Sequence, residues 1–174
     1  MPDTSPEQSS SVPVTRPSLA WVFRAPYRAV AFGLGSGLLR PAPGTWGTAL
    51  GWLLWAAVVS RLSDLGIAIV LLVSFVYGCW ACHRVGKELG RADDGAMVWD
   101  EIVAFWLVLW LAPPELGAQA LAFVIFRFFD IIKPPPIRYF DRKLKNGVGV
   151  MWDDILAAAY SLLVLGILIS LEIL

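Results

Sequence analysis

From residue 45 onward the chain is built of long apolar stretches separated by short polar ones, and that alternation predicts its architecture. Five stretches run at about Thr45 to Leu62, Gly66 to His83, Ala96 to Leu111, Leu116 to Ile132 and Asp153 to Leu174. A helix needs roughly 17–25 mainly apolar residues to cross a bilayer, so each stretch is read as a spanning helix, the third being short. Upstream, Trp21 to Leu39 is amphipathic and basic, with Arg24 and Arg28 among aromatic residues, and is expected to lie in the membrane interface. The expected fold class is therefore all-α: a polytopic membrane helix bundle of about five spanning helices plus an N-terminal interfacial helix.

Composition agrees. Hydrophobic residues make up 57% and charged residues 16% of the 174 positions, against roughly 45–50% and about 25% in soluble domains. Formal net charge is zero, which argues against a nucleic-acid partner, because a phosphate backbone calls for a basic excess. The first residues are rich in Ser, Pro and Thr without an apolar run, so residues 1–20 are read as a disordered tail and residues 21–174 as a single membrane-embedded domain. Cys79 and Cys82 form a Cys-Trp-Ala-Cys run with no second pair to complete a zinc site, and are read as packing residues of a membrane helix. His83, the single histidine, is read as an interfacial residue at a helix end.

Basic residues give the orientation. Arg16, Arg24, Arg28 and Arg40 precede the first stretch, Arg84, Lys87 and Arg91 follow the second, and Lys133, Arg138, Arg142, Lys143 and Lys145 follow the fourth. The alternate connections hold only Arg61 and the uncharged-to-acidic Pro113-Pro114-Glu115. The positive-inside rule then places the N-terminus in the cytoplasm and the C-terminus outside, with Trp46, Trp80, Trp99 and Trp152 as a cytoplasmic aromatic belt.

This orientation gathers acids. Asp100 and Glu101 open the third stretch, Asp153 and Asp154 open the fifth, and Asp130 closes the fourth on the same side. Acids at helix starts are ordinarily there to complement the macrodipole. Five carboxylates at one depth would however repel one another unless a cation sits between them, and Mg²⁺, held by a few carboxylate oxygens with water or phosphate oxygens completing its shell, is the economical choice. With a single histidine, two cysteines lacking an arginine six residues on, and no Asp-x-Asp pair, phosphohistidine, cysteinyl-phosphate and aspartyl-phosphate chemistry all lack their residues. Metal-assisted attack by water remains.

A phosphate partner is suggested by the glycines at 33, 35, 37, 44 and 47, which free backbone N–H groups in front of a helix that Thr45 or Thr48 could cap. The same loop is equally a tight turn for close helix packing. Arg127, Asp130 and Lys133, three apart, share one helix face, so Arg127 is expected to hold Asp130 by a salt bridge. Arg127, Lys133 and Arg138 could pair with either phosphate or these acids. Arg142, Lys143 and Lys145 are expected to face anionic lipid, with Asp141 as their surface partner.

Gly33-x-Gly-Ser-Gly, Pro43-Gly-Thr-x-Gly47, Val98-Trp-Asp-Glu101, Phe123-Val-Ile-Phe-Arg-x-x-Asp130, Lys133-Pro-x-Pro-Ile-Arg138, Phe140-Asp-Arg142 and Gly147-x-Gly followed by Asp153-Asp154 occur in this order. Together, from about Phe32 to Ala158, they resemble the phosphatidylglycerophosphatase A family. The resemblance implies a multi-pass, Mg²⁺-dependent phosphatase of the bacterial inner membrane that turns phosphatidylglycerophosphate into phosphatidylglycerol on the cytoplasmic side. It puts the catalytic and metal-binding acids on Asp100, Glu101, Asp130, Asp153 and Asp154, and matches a further acid at Asp93. Ser36, Thr45 and Lys133, with Arg127 and Arg138, are the expected phosphate-binding residues. The lipid substrate and the membrane are the expected partners, and homo-oligomerisation is left open. Two rival classes are a cation transporter, which would carry its acids at mid-membrane, and a phosphoalcohol transferase, whose Asp-Gly-x2-Ala-Arg run fails after Asp94-Gly95.

Overall fold

A computed structural model describes residues 17–135, 137–139 and 146–172. Most of the predicted tail, with Arg16, and the readings of Asp141, Arg142, Lys143 and Lys145 lie outside the described residues, as does the Phe140-Asp-Arg142 motif. The described residues are helical throughout, without strands: α1 (Leu19–Val22), α2 (Pro26–Ala31), a 3₁₀ segment (Gly33–Leu38), α3 (Pro43–Ala57), a second 3₁₀ turn (Val59–Arg61), α4 (Asp64–Leu89), α5 (Trp99–Leu111), α6 (Leu116–Ile132) and α7 (Gly147–Ser170).

Local chemistry sets these bounds. Pro26 and Pro43 open α2 and α3 in the first turn, where a missing N–H costs nothing. Ser63 and Asn146 cap α4 and α7 by accepting from the N–H groups of Gly66 and Gly149. Gly90 ends α4 in the left-handed conformation, and Lys133 ends α6 the same way ahead of Pro134.

Three expectations are corrected. The interfacial stretch Trp21 to Leu39 is not one helix: Pro26 restarts the chain, and positive φ at Gly33, Leu34 and Gly35 turns it into the 3₁₀ segment. Neither Thr45 nor Thr48 caps α3, which begins two residues before Thr45 with Ala42 as N-cap; Thr48 Oγ donates instead to the Gly44 carbonyl at 2.8 Å. The last helix starts at Gly147, six residues before Asp153, because Asn146 provides its cap.

α4 and α7, of 26 and 24 residues, are long and apolar enough to cross a membrane. α3, α5 and α6 have 15, 13 and 17 residues. At 1.5 Å per residue these three fall short of an upright crossing of a hydrocarbon core about 30 Å thick. Leu53, Leu65, Leu72, Val124, Ile131 and Leu163 are more than half exposed, an apolar exterior of the kind lipid covers.

The helices run alternately up and down. At one end Trp110 Nε1 donates to Asp64 at 3.1 Å and Trp52 Nε1 to Gln119 at 2.7 Å, tying α5 to α4 and α3 to α6. Between the ends lies a core of Ile102, Phe105, Phe126 and Ala157, with the Phe105 and Phe126 rings stacked at 5.6 Å. A second cluster of Val22, Phe32, Cys82, Val85 and Met151 seats the N-terminal helices on the far end of α4. Glycines permit the close approaches: Gly51 lies against Ile102, and Gly147 lies against the α4 backbone at Cys79 and His83. The opposite end of the bundle thus collects the starts of α3 and α5, the end of α6 and the first turns of α7.

Candidate functional site

Carboxylates from two helices converge at that end. Asp100 and Glu101, in the first turn of α5, and Asp154, two turns into α7, each offer an oxygen, and the three oxygens lie within 4.8 Å of one another. Asp100 and Asp154 are 8% and 3% exposed, so water does little to screen them. For Asp154, and for its buried neighbour Asp153, a helix-start explanation is gone: the macrodipole acts within the first turn, and α7 has already made almost two. Asp100 retains a local role, its Oδ1 accepting from the Glu101 N–H at 3.0 Å.

The other two predicted acids ring the cluster, each tied to a cation. Asp130 pairs with Arg127 at 2.5 Å, and Asp153 pairs with Lys133. The Arg127 guanidinium also stands 3.4 Å from Glu101 Oε1 and from Thr48 Oγ1. Among the described residues these five carboxylates share two cations, with Asp130 acting electrostatically on all three inner acids and Asp153 on Asp100 and Asp154.

Glu101 Oε2 is buried without a hydrogen-bond partner, as is Arg127 Nε. An orphaned carboxylate oxygen in a group with surplus negative charge is costly unless a positive ligand meets it. The donor set of Asp100, Glu101 and Asp154 is all oxygen, and suits a hard divalent cation better than zinc. Gly44 supplies the space: a Cβ there would run into Glu101 Oε1 and the Arg127 guanidinium.

The predicted phosphate-binding residues divide. Lys133 and Arg127 are at the acids, engaged as described. Thr45 is half-buried in the first turn of α3, next to Gly44. Ser36 donates to the carbonyl of Gly33 at 2.8 Å, closing its own loop, and exposed Arg138 donates to the carbonyl of Ile132 at 3.2 Å, capping α6. The glycine loop is in large part a packing device, since Gly33 and Gly47 lie against Val98 and Gly37 against the Ala96 backbone. Asp93 is exposed, whereas Asp94 pairs with Arg91 at 3.0 Å and accepts from the Ala96 N–H. Cys79 and Cys82 are free thiols packed in α4; His83 is exposed but does not end that helix, which runs six residues beyond it to Leu89. Thr48 at the guanidinium was missed; its spacing of four from Gly44 placed it on the same face.

Comparison with known proteins bears on this arrangement. A protein of Haemophilus influenzae named phosphatidylglycerophosphatase A is 47% identical over 141 residues, covering 80% of this chain and 86% of its own length. One of the same name from Escherichia coli is 37% identical over 137 residues, covering 78% and 79%. A Bacteroides thetaiotaomicron protein, provisionally named a phosphatidylinositol-3-phosphatase, is 36% identical over 147 residues, covering 79% and 90%. No solved structure matches. The sequence profile of phosphatidylglycerophosphatase A matches residues 29–169, a span containing every acid of the cluster, and the chain belongs to that family.

Proposed function

We propose that the chain hydrolyses the phosphomonoester of phosphatidylglycerophosphate, releasing phosphate and leaving phosphatidylglycerol, and that Asp100, Glu101 and Asp154 hold a Mg²⁺ ion for the reaction. The observation that carries this reading is the convergence of those three carboxylates, with one Glu101 oxygen buried and unpartnered, in a chain of this family. When bound, the metal supplies charge neutralisation at the phosphoryl oxygens.

The chain's residues do the rest. One carboxylate of the group takes the proton of the attacking water, in line with the departing glycerol oxygen. Arg127 holds Asp130 and Glu101 in place, and Lys133, at the edge of the cluster, is within reach of an incoming phosphate while it orients Asp153. Thr45, half-buried in the first turn of α3, is next in sequence to Gly44, which packs against Glu101 and Arg127.

The reading extends to topology. The domain from residue 21 onward crosses the bacterial inner membrane five times, the three shorter helices tilting or thinning the bilayer around them. Its N-terminus and its acids face the cytoplasm, where the basic connections lie. A cation transporter would carry its acids midway along the helices, whereas Asp100 and Glu101 occupy the first turn of α5.

The test is phosphate release from phosphatidylglycerophosphate in mixed micelles, with and without EDTA. Release that EDTA abolishes and Mg²⁺ restores is expected. No release from this lipid, or release indifferent to EDTA, overturns the reading.

A further inference from the structure

An apolar groove of about 230 Å³ opens on the side of the bundle where α4, α5 and α7 meet, lined by Leu71, Leu72, Phe75, Leu107, Trp152 and Ile155, with Val103 at its floor. Its position relative to the acids is fixed by two helices. On α5, Asp100, Val103 and Leu107 follow at intervals of three and four, so they share a face, with Leu107 about 10 Å further along the axis than Asp100. On α7, Trp152 and Ile155 bracket Asp153 and Asp154 within a single turn. On α5 the groove thus runs from the face of Asp100 away from the polar end, while on α7 it lies level with the acids on the adjoining face.

We propose that this groove holds one acyl chain of the lipid substrate while the phosphomonoester occupies the acids. The proposal rests on the lipid phosphatase reading above and adds where the chain binds. The polarity supports this occupant: ionic groups at one end and an unbroken apolar lining at the other match the order of an amphiphile, and the lateral opening lets a lipid enter from the bilayer. A chain held there positions the headgroup, so binding away from the reacting phosphorus is expected to appear in turnover of the acylated substrate only.

The experiment compares full-length protein and two groove variants, Leu72→Trp, which fills the groove, and Phe75→Ala, which widens it. Each is assayed on dioleoyl phosphatidylglycerophosphate in mixed micelles and on its deacylated, water-soluble counterpart. Leu72→Trp is expected to lower kcat/KM for the acylated substrate by about tenfold and to leave the deacylated substrate unchanged, which also reports that the variant is folded. Phe75→Ala is expected to shift the preference among acyl lengths. Equal values on both substrates for all three proteins would overturn the proposal, leaving the groove to bulk lipid, and so would a parallel loss on both. A second arm needs no turnover: a dioleoyl substrate analogue with a photoreactive acyl chain is expected to label the groove, with displacement by phosphatidylglycerophosphate and not by phosphatidylcholine. Displacement by both overturns the acyl site. Failure of the unsubstituted protein to release phosphate from either substrate counts against the phosphatase reading instead.

Discussion

Arg127 Nη1 lies 3.4 Å from Glu101 Oε1, joining the last turns of α6 to the first turn of α5 across the polar end of the bundle. Because the same guanidinium pairs with Asp130, it compensates two carboxylates that otherwise add to the charge of the cluster. Both partners are nearly buried, with side chains 13% and 12% exposed, and removing one member of such a pair leaves the other charge uncompensated. Arg127→Met is expected to destabilise the protein by about 3 kcal/mol, read as a lower unfolding midpoint in detergent, with activity lost alongside. Arg127→Lys keeps the charge but loses the fork that reaches both acids, and is expected to recover stability in part without recovering activity.

Gly44 offers a contrast with Gly117 that separates crowding from helix propensity. A Cβ at Gly44 runs into Glu101 Oε1 and the guanidinium, whereas at Gly117 nothing lies within 4 Å. Gly44→Ala is expected to leave the protein folded and to reduce kcat about a hundredfold, since an ångström of misplacement of a catalytic group has that effect. Gly117→Ala, in the first turn of α6, is expected to keep full activity and to gain at most about 0.5 kcal/mol of stability, less than a mid-helix glycine would. Phosphate release and thermal unfolding on both variants check the pair.

Part of this site was legible in the sequence and part was not. Asp100, Glu101 and Asp130 could be placed because apolar run length and basic connections order the helix ends, and a period of three links Arg127 to Asp130. Asp153 and Asp154 were matched to the right end for a partly wrong reason. They lie two turns inside α7, because the glycine-bearing prelude, Asn146 to Trp152, is helical once Asn146 caps it. What local pattern cannot carry is the pairing of distant side chains: Lys133 with Asp153 and Thr48 with Arg127. The break between α1 and α2 was announced by Pro26, although the amphipathic pattern around it suggested one continuous helix.

The N-terminal helices are fastened to α4 by a small network. Glu88 accepts from Arg28 Nε at 2.8 Å and from the Tyr27 hydroxyl, and the Arg28 guanidinium sits 4.0 Å over the Trp21 ring. These are the polar ties, laid over the apolar contacts of Val22 and Phe32. Glu88→Ala leaves Arg28 with its contacts to the Trp21 and Tyr27 rings and a 3.4 Å bond to the Trp21 carbonyl. Faster amide hydrogen exchange is expected in α1 and α2, at a cost of about 1–3 kcal/mol in local stability, while exchange in α5 and α7 stays unchanged. Uniformly faster exchange across all helices would show that the network supports the whole bundle.

Metal dependence can be read without turnover. If Asp100, Glu101 and Asp154 hold Mg²⁺, the ion binds the folded state alone, and a hundredfold excess over its dissociation constant stabilises that state by about 2.7 kcal/mol. Addition of Mg²⁺ to EDTA-treated protein is then expected to raise the unfolding midpoint. Asp154→Asn removes one charge and keeps the shape, so it is expected to relieve repulsion and raise the midpoint of the metal-free protein, while abolishing both the Mg²⁺ shift and phosphate release. Asp64→Asn, at the opposite end of the bundle beside Trp110, is expected to keep the shift. A Mg²⁺ shift of unchanged size in Asp154→Asn would move the ion away from this cluster; an equal loss in Asp64→Asn would make the effect one of general charge.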